Sequence, residues 1–120
     1  MAKRILVLDD NADILDIVHE TLTYENFDVK STSRSDTVIP LVEEFKPDLV
    51  ILDYRVAGVN GGELCKQIKS HPDFKSTPVI IFSAYINHND ELFKYGCDAI
   101  INKPFDLTEL VDNVNCFISQ

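Results

Sequence analysis

Basic residues are scarce in this 120-residue chain: 11 Lys and Arg stand against 20 Asp and Glu, a formal net charge of −9. No block of them is present to neutralise a phosphate backbone, which argues against direct nucleic-acid binding. Cysteine is sparse too. Cys65, Cys97 and Cys116 are odd in number and lack the close spacing of a zinc site or a redox pair, so they read as reduced, structural thiols, as expected in the cytosol. No charged segment leads into a signal-type apolar stretch, and the apolar runs extend only a few residues. Neither a signal peptide nor a membrane-spanning helix is expected, and the expected location is cytoplasmic. Internal repeats, low-complexity tracts and long linkers are also lacking. At 45% hydrophobic and 26% charged residues, the chain can bury a core, and its length fits one domain over residues 1–120.

What is present is an alternation. Five short apolar segments read as strands: Ile5 to Leu8, a weaker Phe27 to Val29, Leu49 to Leu52, Val79 to Phe82, and Ala99 to Ile101. Three of them are continuous rather than alternating, as strands covered on both faces of a parallel sheet require. Between them lie helix-period segments. Leu107, Leu110, Val111, Val114, Phe117 and Ile118 mark a last helix, for which Asp106 is the expected N-cap and Glu109 completes capping-box spacing. Ile14, Leu15, Val18 and Leu22 mark a first helix, and Val38, Leu41, Val42 and Phe45 a second, which tolerates Pro40 near its start. Residues 61–70 and about 87–95 complete a (βα)₅ pattern. The expected fold is a doubly wound, five-stranded parallel sheet of strand order 2-1-3-4-5, with its ligand site at the carboxyl ends of the strands.

Those ends carry reactive residues. The first strand runs into Asp9-Asp10, the third into Asp53, the fourth into Ser83 and the fifth into Lys103-Pro104. Three carboxylates brought together repel one another, unless a cation joins them or some of their pKa values rise. A hard divalent ion with oxygen ligands, Mg²⁺, is the simple remedy. A carboxylate beside it is a competent nucleophile toward phosphorus, and Lys103 and Ser83 could contact the phosphoryl oxygens. Asp53 stands out, since a carboxylate ending a buried apolar strand costs stability unless it is used. His19, His71 and His88 have no metal-ligand spacing among them, and none reads as a phosphotransfer histidine.

This order of Asp-Asp, Asp, Ser and Lys-Pro after successive strands resembles the receiver domains of two-component response regulators, CheY-like proteins, over the whole chain. Gly61, eight residues after Asp53, and Ala84, after Ser83, also match that family. The resemblance implies that Asp53 accepts a phosphoryl group, that Asp10 and, through water, Asp9 ligate Mg²⁺, and that the main-chain oxygen of Arg55 adds a ligand. Ser83 would move to bond the phosphoryl group, Lys103 would pair with it, and the Lys103–Pro104 bond would be cis. Arg55 and Tyr85 would flank the acyl phosphate, and their bulk implies slow self-dephosphorylation. The phosphoryl donor would be a histidine kinase or phosphotransfer protein. Output would be a downstream target protein, through a monomer or a phosphorylation-dependent dimer, with no membrane partner.

Two positions depart from the family. Ile100 stands where Tyr or Phe usually reports phosphorylation to the face formed by the fourth helix, fifth strand and fifth helix, and Val56-Ala57 replaces Met-Pro. Three rival functions follow. A haloacid-dehalogenase-type phosphatase needs a second Asp two residues after the nucleophile, where this chain has Arg55. The expectation is therefore no turnover enzyme, only catalysis of the chain's own phosphorylation and dephosphorylation. A flavodoxin-type binder needs a first loop rich in Gly, Ser and Thr, where Asp9, Asp10 and Asp13 would repel a phosphate. The third is a degenerate receiver acting as a phosphorylation-independent interaction module. With no output domain evident, the chain reads either as a stand-alone regulator or as part of a longer protein.

Overall fold

A computed structural model describes residues 2–56, 58–84 and 89–118. Its main sheet contains β1 (Arg4–Leu8), β2 (Asp28–Thr32), β3 (Leu49–Asp53), β6 (Val79–Ser83) and β7 (Ala99–Asn102), all parallel, in the order β2-β1-β3-β6-β7. Counting these strands alone, the order is the expected 2-1-3-4-5. Between β3 and the third helix the chain forms a small antiparallel ribbon, β4 (Arg55–Val56) with β5 (Val59–Asn60), which the sequence pattern did not suggest.

The helices are α1 (Ala12–Tyr24), α2 (Val38–Phe45), α3 (Gly61–Ser70), α4 (Asn89–Phe93) and α5 (Leu107–Phe117). The expected fourth helix ran on to Tyr95, two residues past the end of α4; its residues Asn87 and His88 lie outside the described part of the chain, as does Tyr85. None of the described helices is long and apolar enough to cross a membrane.

The continuous apolar runs follow from two cores. In a strand, successive side chains point to opposite faces. Ile5, Val7, Leu49, Ile51, Ile80 and Phe82 therefore pack on one side, with Val18 and Leu22 of α1 and Leu110 and Val114 of α5. Leu6, Leu8, Val50, Leu52, Val79 and Ile81 pack on the other, with Val42 of α2 and Leu64, Cys65 and Ile68 of α3. Both faces are covered, so no position in these strands can be polar until the strands end. Cys65 and Cys97 are buried, Cys116 is exposed, and all three are free thiols; burial pushes the Cys65 thiol up to about 12 and that of Cys97 to about 11, leaving both protonated.

Three helices begin on side-chain caps, each satisfying backbone N–H groups that the first turn leaves unpaired. Asn11 accepts from Asp13 and Ile14, Asn60 from Gly62, and Asp106 from Glu109 at 2.7 Å, the last as expected. A 3-10 turn at Ser35–Thr37 leads into α2, and Pro40 is the third residue of that helix, where its missing N–H costs nothing.

The start of α3 is pressed against the end of β3. The Gly61 N–H donates to the Tyr54 carbonyl at 2.6 Å, and a Cβ at Gly61 would lie 2.1 Å from the Asp53 carbonyl oxygen. Backbone cannot yield there as a side chain would. Gly61→Ala should therefore cost about 2–3 kcal/mol of stability, read as a lower urea midpoint at unchanged m-value; an unchanged midpoint would contradict this contact.

Candidate functional site

Parallel strands end on a common edge, and each sequence-selected residue sits where its strand stops. Asp9 follows β1 with its N–H donated to the Thr32 carbonyl at 3.2 Å; Asp53 closes β3, Ser83 closes β6, and Lys103 follows β7, donating its N–H to the Ser83 carbonyl at 2.8 Å. Asp9 and Ser83 are completely buried, Asp53 is 8% exposed, and Asp10 and Ala84 are exposed.

One ammonium joins two of the acids. Lys103 Nζ lies 3.0 Å from Asp9 Oδ2 and 3.2 Å from Asp53 Oδ1. The other Asp9 oxygen accepts the Asn11 N–H at 2.9 Å, so Asp9 is held from both sides. Oxygens of Asp9, Asp10 and Asp53 all lie within 4.8 Å of one another. Asp53 responds to this crowding. Loss of solvent, and then the charges of Asp9 and Asp10, push its carboxyl from 3.8 up to about 6, against the opposing pull of Lys103.

The Lys103–Pro104 peptide bond is cis, and Phe105 stacks on Phe82 with ring centroids 4.7 Å apart. Beside Lys103, a groove of about 650 Å³ is lined by Ile14, Ile17, Pro104, Phe105 and Leu107. Arg55 is exposed, its guanidinium 5.7 Å from the Tyr54 ring centroid. Ile100 is half-buried against the α2/α3 core, paired with Ile81 across β6 and β7. His71 faces Glu43 at 3.4 Å and His19 bonds Ser31, both away from the acidic cluster.

A family model described as the response regulator receiver domain matches residues 5–115. The chain belongs to that family. It is a receiver domain of two-component systems with the CheY-like fold. Chemotaxis response regulator CheY4 of Vibrio cholerae is 19% identical with a TM-score of 0.91, covering 98% of this chain and 100% of its own, a likeness of fold alone. Response regulator TrrA of Thermotoga maritima, in complex with Mg²⁺ and BeF, is 28% identical with a TM-score of 0.87, covering 97% and 99%. NtrX of Brucella abortus is 28% identical with a TM-score of 0.87 over 97% of this chain but 27% of its own, so a receiver of this kind also occurs within a longer protein.

Sequence reasoning overlooked Asn60. It caps α3 directly after the loop that follows β3 and donates from Nδ2 to the Tyr95 hydroxyl at 3.2 Å. The signal was available: Asn60 stands three residues before Glu63, the spacing of a helix start. Tyr95 had no such signal, because only folding brings it to Asn60.

The receiver's acidic cluster makes its stability depend on pH. A carboxyl whose pKa is higher in the folded than in the unfolded chain binds its proton more tightly when folded, so stability falls as pH rises from about 4 through about 6. In metal-free buffer at pH 8, Asp53→Asn should raise stability by about 1 kcal/mol after solvent screening. The gain in Tm should be roughly 4 °C and should narrow towards pH 4. Lys103→Met should act oppositely at pH 8, losing about 3 kcal/mol because buried Asp9 is left without its cation. Melting curves at the two pH values check both, and equal Asp53→Asn shifts at both would contradict the electrostatic origin.

Proposed function

We propose that residues 1–120 form one receiver domain that acts as a phosphoryl-accepting switch, with Asp53 as the acceptor. The observation that carries this reading is the Asp53 carboxylate itself, at the end of a buried strand, grouped with Asp9 and Asp10 and paired with Lys103. Nothing structural requires an acid there, and its raised pKa is the cost of keeping one.

The donor set fits a magnesium ion. Three carboxylates converge beside the Lys103 ammonium, and the ligands are all oxygen, which suits a hard divalent cation. Asp10, Asp53, the main-chain oxygen of Arg55 and, through water, Asp9 would hold it. Bound there, Mg²⁺ supplies positive charge to the phosphoryl oxygens as transfer proceeds. The TrrA complex with Mg²⁺ and BeF supports this assignment.

The chain's own groups do the rest. An Asp53 oxygen attacks phosphorus in line, forming the O–P bond as the P–N bond of a phosphohistidine donor breaks and the leaving imidazole keeps the electron pair and takes up a proton. Lys103, already between Asp9 and Asp53, pairs with a phosphoryl oxygen on one side, and the Ser83 hydroxyl bonds another. Exposed Ala84 leaves room for the group. Arg55 stands in the position expected to slow hydrolysis. It is not an acid that could activate water, so the domain is a switch rather than a turnover phosphatase. The donor is a histidine kinase or phosphotransfer protein in the cytoplasm, and the output is docking to a downstream target, as a monomer or a phosphorylation-dependent dimer.

Acetyl phosphate with Mg²⁺ should add one phosphoryl group to the intact protein by mass. The gain should vanish with EDTA and in Asp53→Asn. If wild type gains nothing, the domain is instead a phosphorylation-independent binding module.

A further inference from the structure

The residue at position 100 cannot carry a hydrogen-bonded signal. Ile100 has no polar side-chain atom and packs its aliphatic surface against the core cluster that holds α2, α3 and Leu92 of α4. A hydrogen-bonded route from Asp53 to the α4 side of the molecule must therefore run through other residues, and the structure contains a continuous set of contacts that could carry it. We propose that Tyr95 couples the acceptor loop to α4 in this receiver, in place of a switch residue at position 100.

The path starts at Asp53. Its carbonyl oxygen is in close contact with Gly61, whose N–H donates to the Tyr54 carbonyl at 2.6 Å. The intervening loop is closed on itself by the β4–β5 ribbon, which pairs Arg55 with Asn60 and Val56 with Val59. Through this pairing and the Gly61 contact, Asp53 and Arg55 are linked to Asn60. Asn60 has two bonds to pass on: Oδ1 caps α3 through the Gly62 N–H at 2.7 Å, and Nδ2 donates to the Tyr95 hydroxyl.

Tyr95 is seated as well as bonded. A Cβ at Gly62 would lie 2.4 Å from Tyr95 Cδ2, so the ring occupies the space that any larger residue at 62 would need. The Tyr95 N–H donates to the Leu92 carbonyl at 3.1 Å, which ties the residue to the end of α4, and Gly96 follows with φ +96°. On α4 itself Leu92 is buried and Phe93 is 46% exposed. A shift of the ring thus moves a helix that carries an apolar side chain at the surface. Tyr95 touches none of the phosphoryl-transfer groups and is a positioning residue.

The inference rests on Asp53 being the acceptor, and its test keeps the two apart. Hydrogen exchange across residues 90–96 is measured with and without beryllium fluoride plus Mg²⁺, beside phosphoryl uptake from acetyl phosphate by mass. Wild type, Tyr95→Phe and Asn60→Ser are compared; the first substitution keeps the ring and the second keeps a capping oxygen, so both are designed to preserve the fold. Wild type should change its exchange by roughly fivefold or more. Both variants should lose most of that response while still taking up one phosphoryl group with Tm near wild type. A retained response in both variants, or wild-type uptake with no response in 90–96, overturns the coupling alone. Loss of uptake in either variant overturns it by placing the pair within the acceptor site. No wild-type uptake overturns the acceptor assignment, and the coupling with it.

Discussion

The Lys103 ammonium between Asp9 and Asp53 is the interaction on which this receiver depends. Asp9 is fully enclosed, and an enclosed carboxylate without a counter-charge would cost several kcal/mol. Lys103 satisfies it and at the same time draws Asp53 into the cluster, at 3.2 Å. Burial first, and then the crowding by Asp9 and Asp10, push the Asp53 carboxyl up to about 6. A site in this condition gains stability from any cation that enters it, the usual sign that function rather than stability has set the residues.

The two-faced sheet explains why this crowding of acids can persist. Ile5, Val7 and Ile51 on one side and Leu6, Leu8 and Val50 on the other anchor the strands in separate apolar cores. Their carboxyl ends cannot drift apart to relieve repulsion among the acids. The same rigidity restricts change to the loops beyond the strands. There the start of α3, pressed against the Asp53 carbonyl, and Tyr95, seated over Gly62, lie side by side.

Most of the fold could be read in advance because its signals are local. Runs such as Val79 to Phe82 mark buried strands, and Asp106 with Glu109 marks a helix start, each needing only a few neighbouring residues to be recognised. The β4–β5 ribbon was not readable in this way. Its strands are two residues each, too short for a period to appear. At its C-terminal end the expected fourth helix ran two residues past Phe93 for a similar reason: an isolated helical pattern does not say where tertiary packing will end it.

The sequence by itself determined which residues end each strand, and so the chemical content of the edge: two acids after β1, one closing β3, a hydroxyl closing β6 and an amine after β7. Spacing along the chain was enough, because parallel strands joined by right-handed crossovers deliver their ends to one side. Only the tertiary structure decided how those groups share charge. It placed Lys103 on Asp9 and Asp53, and Tyr95 on Asn60 from 35 residues away. Such contacts depend on the distances between separately packed elements, and no local pattern in the chain encodes them.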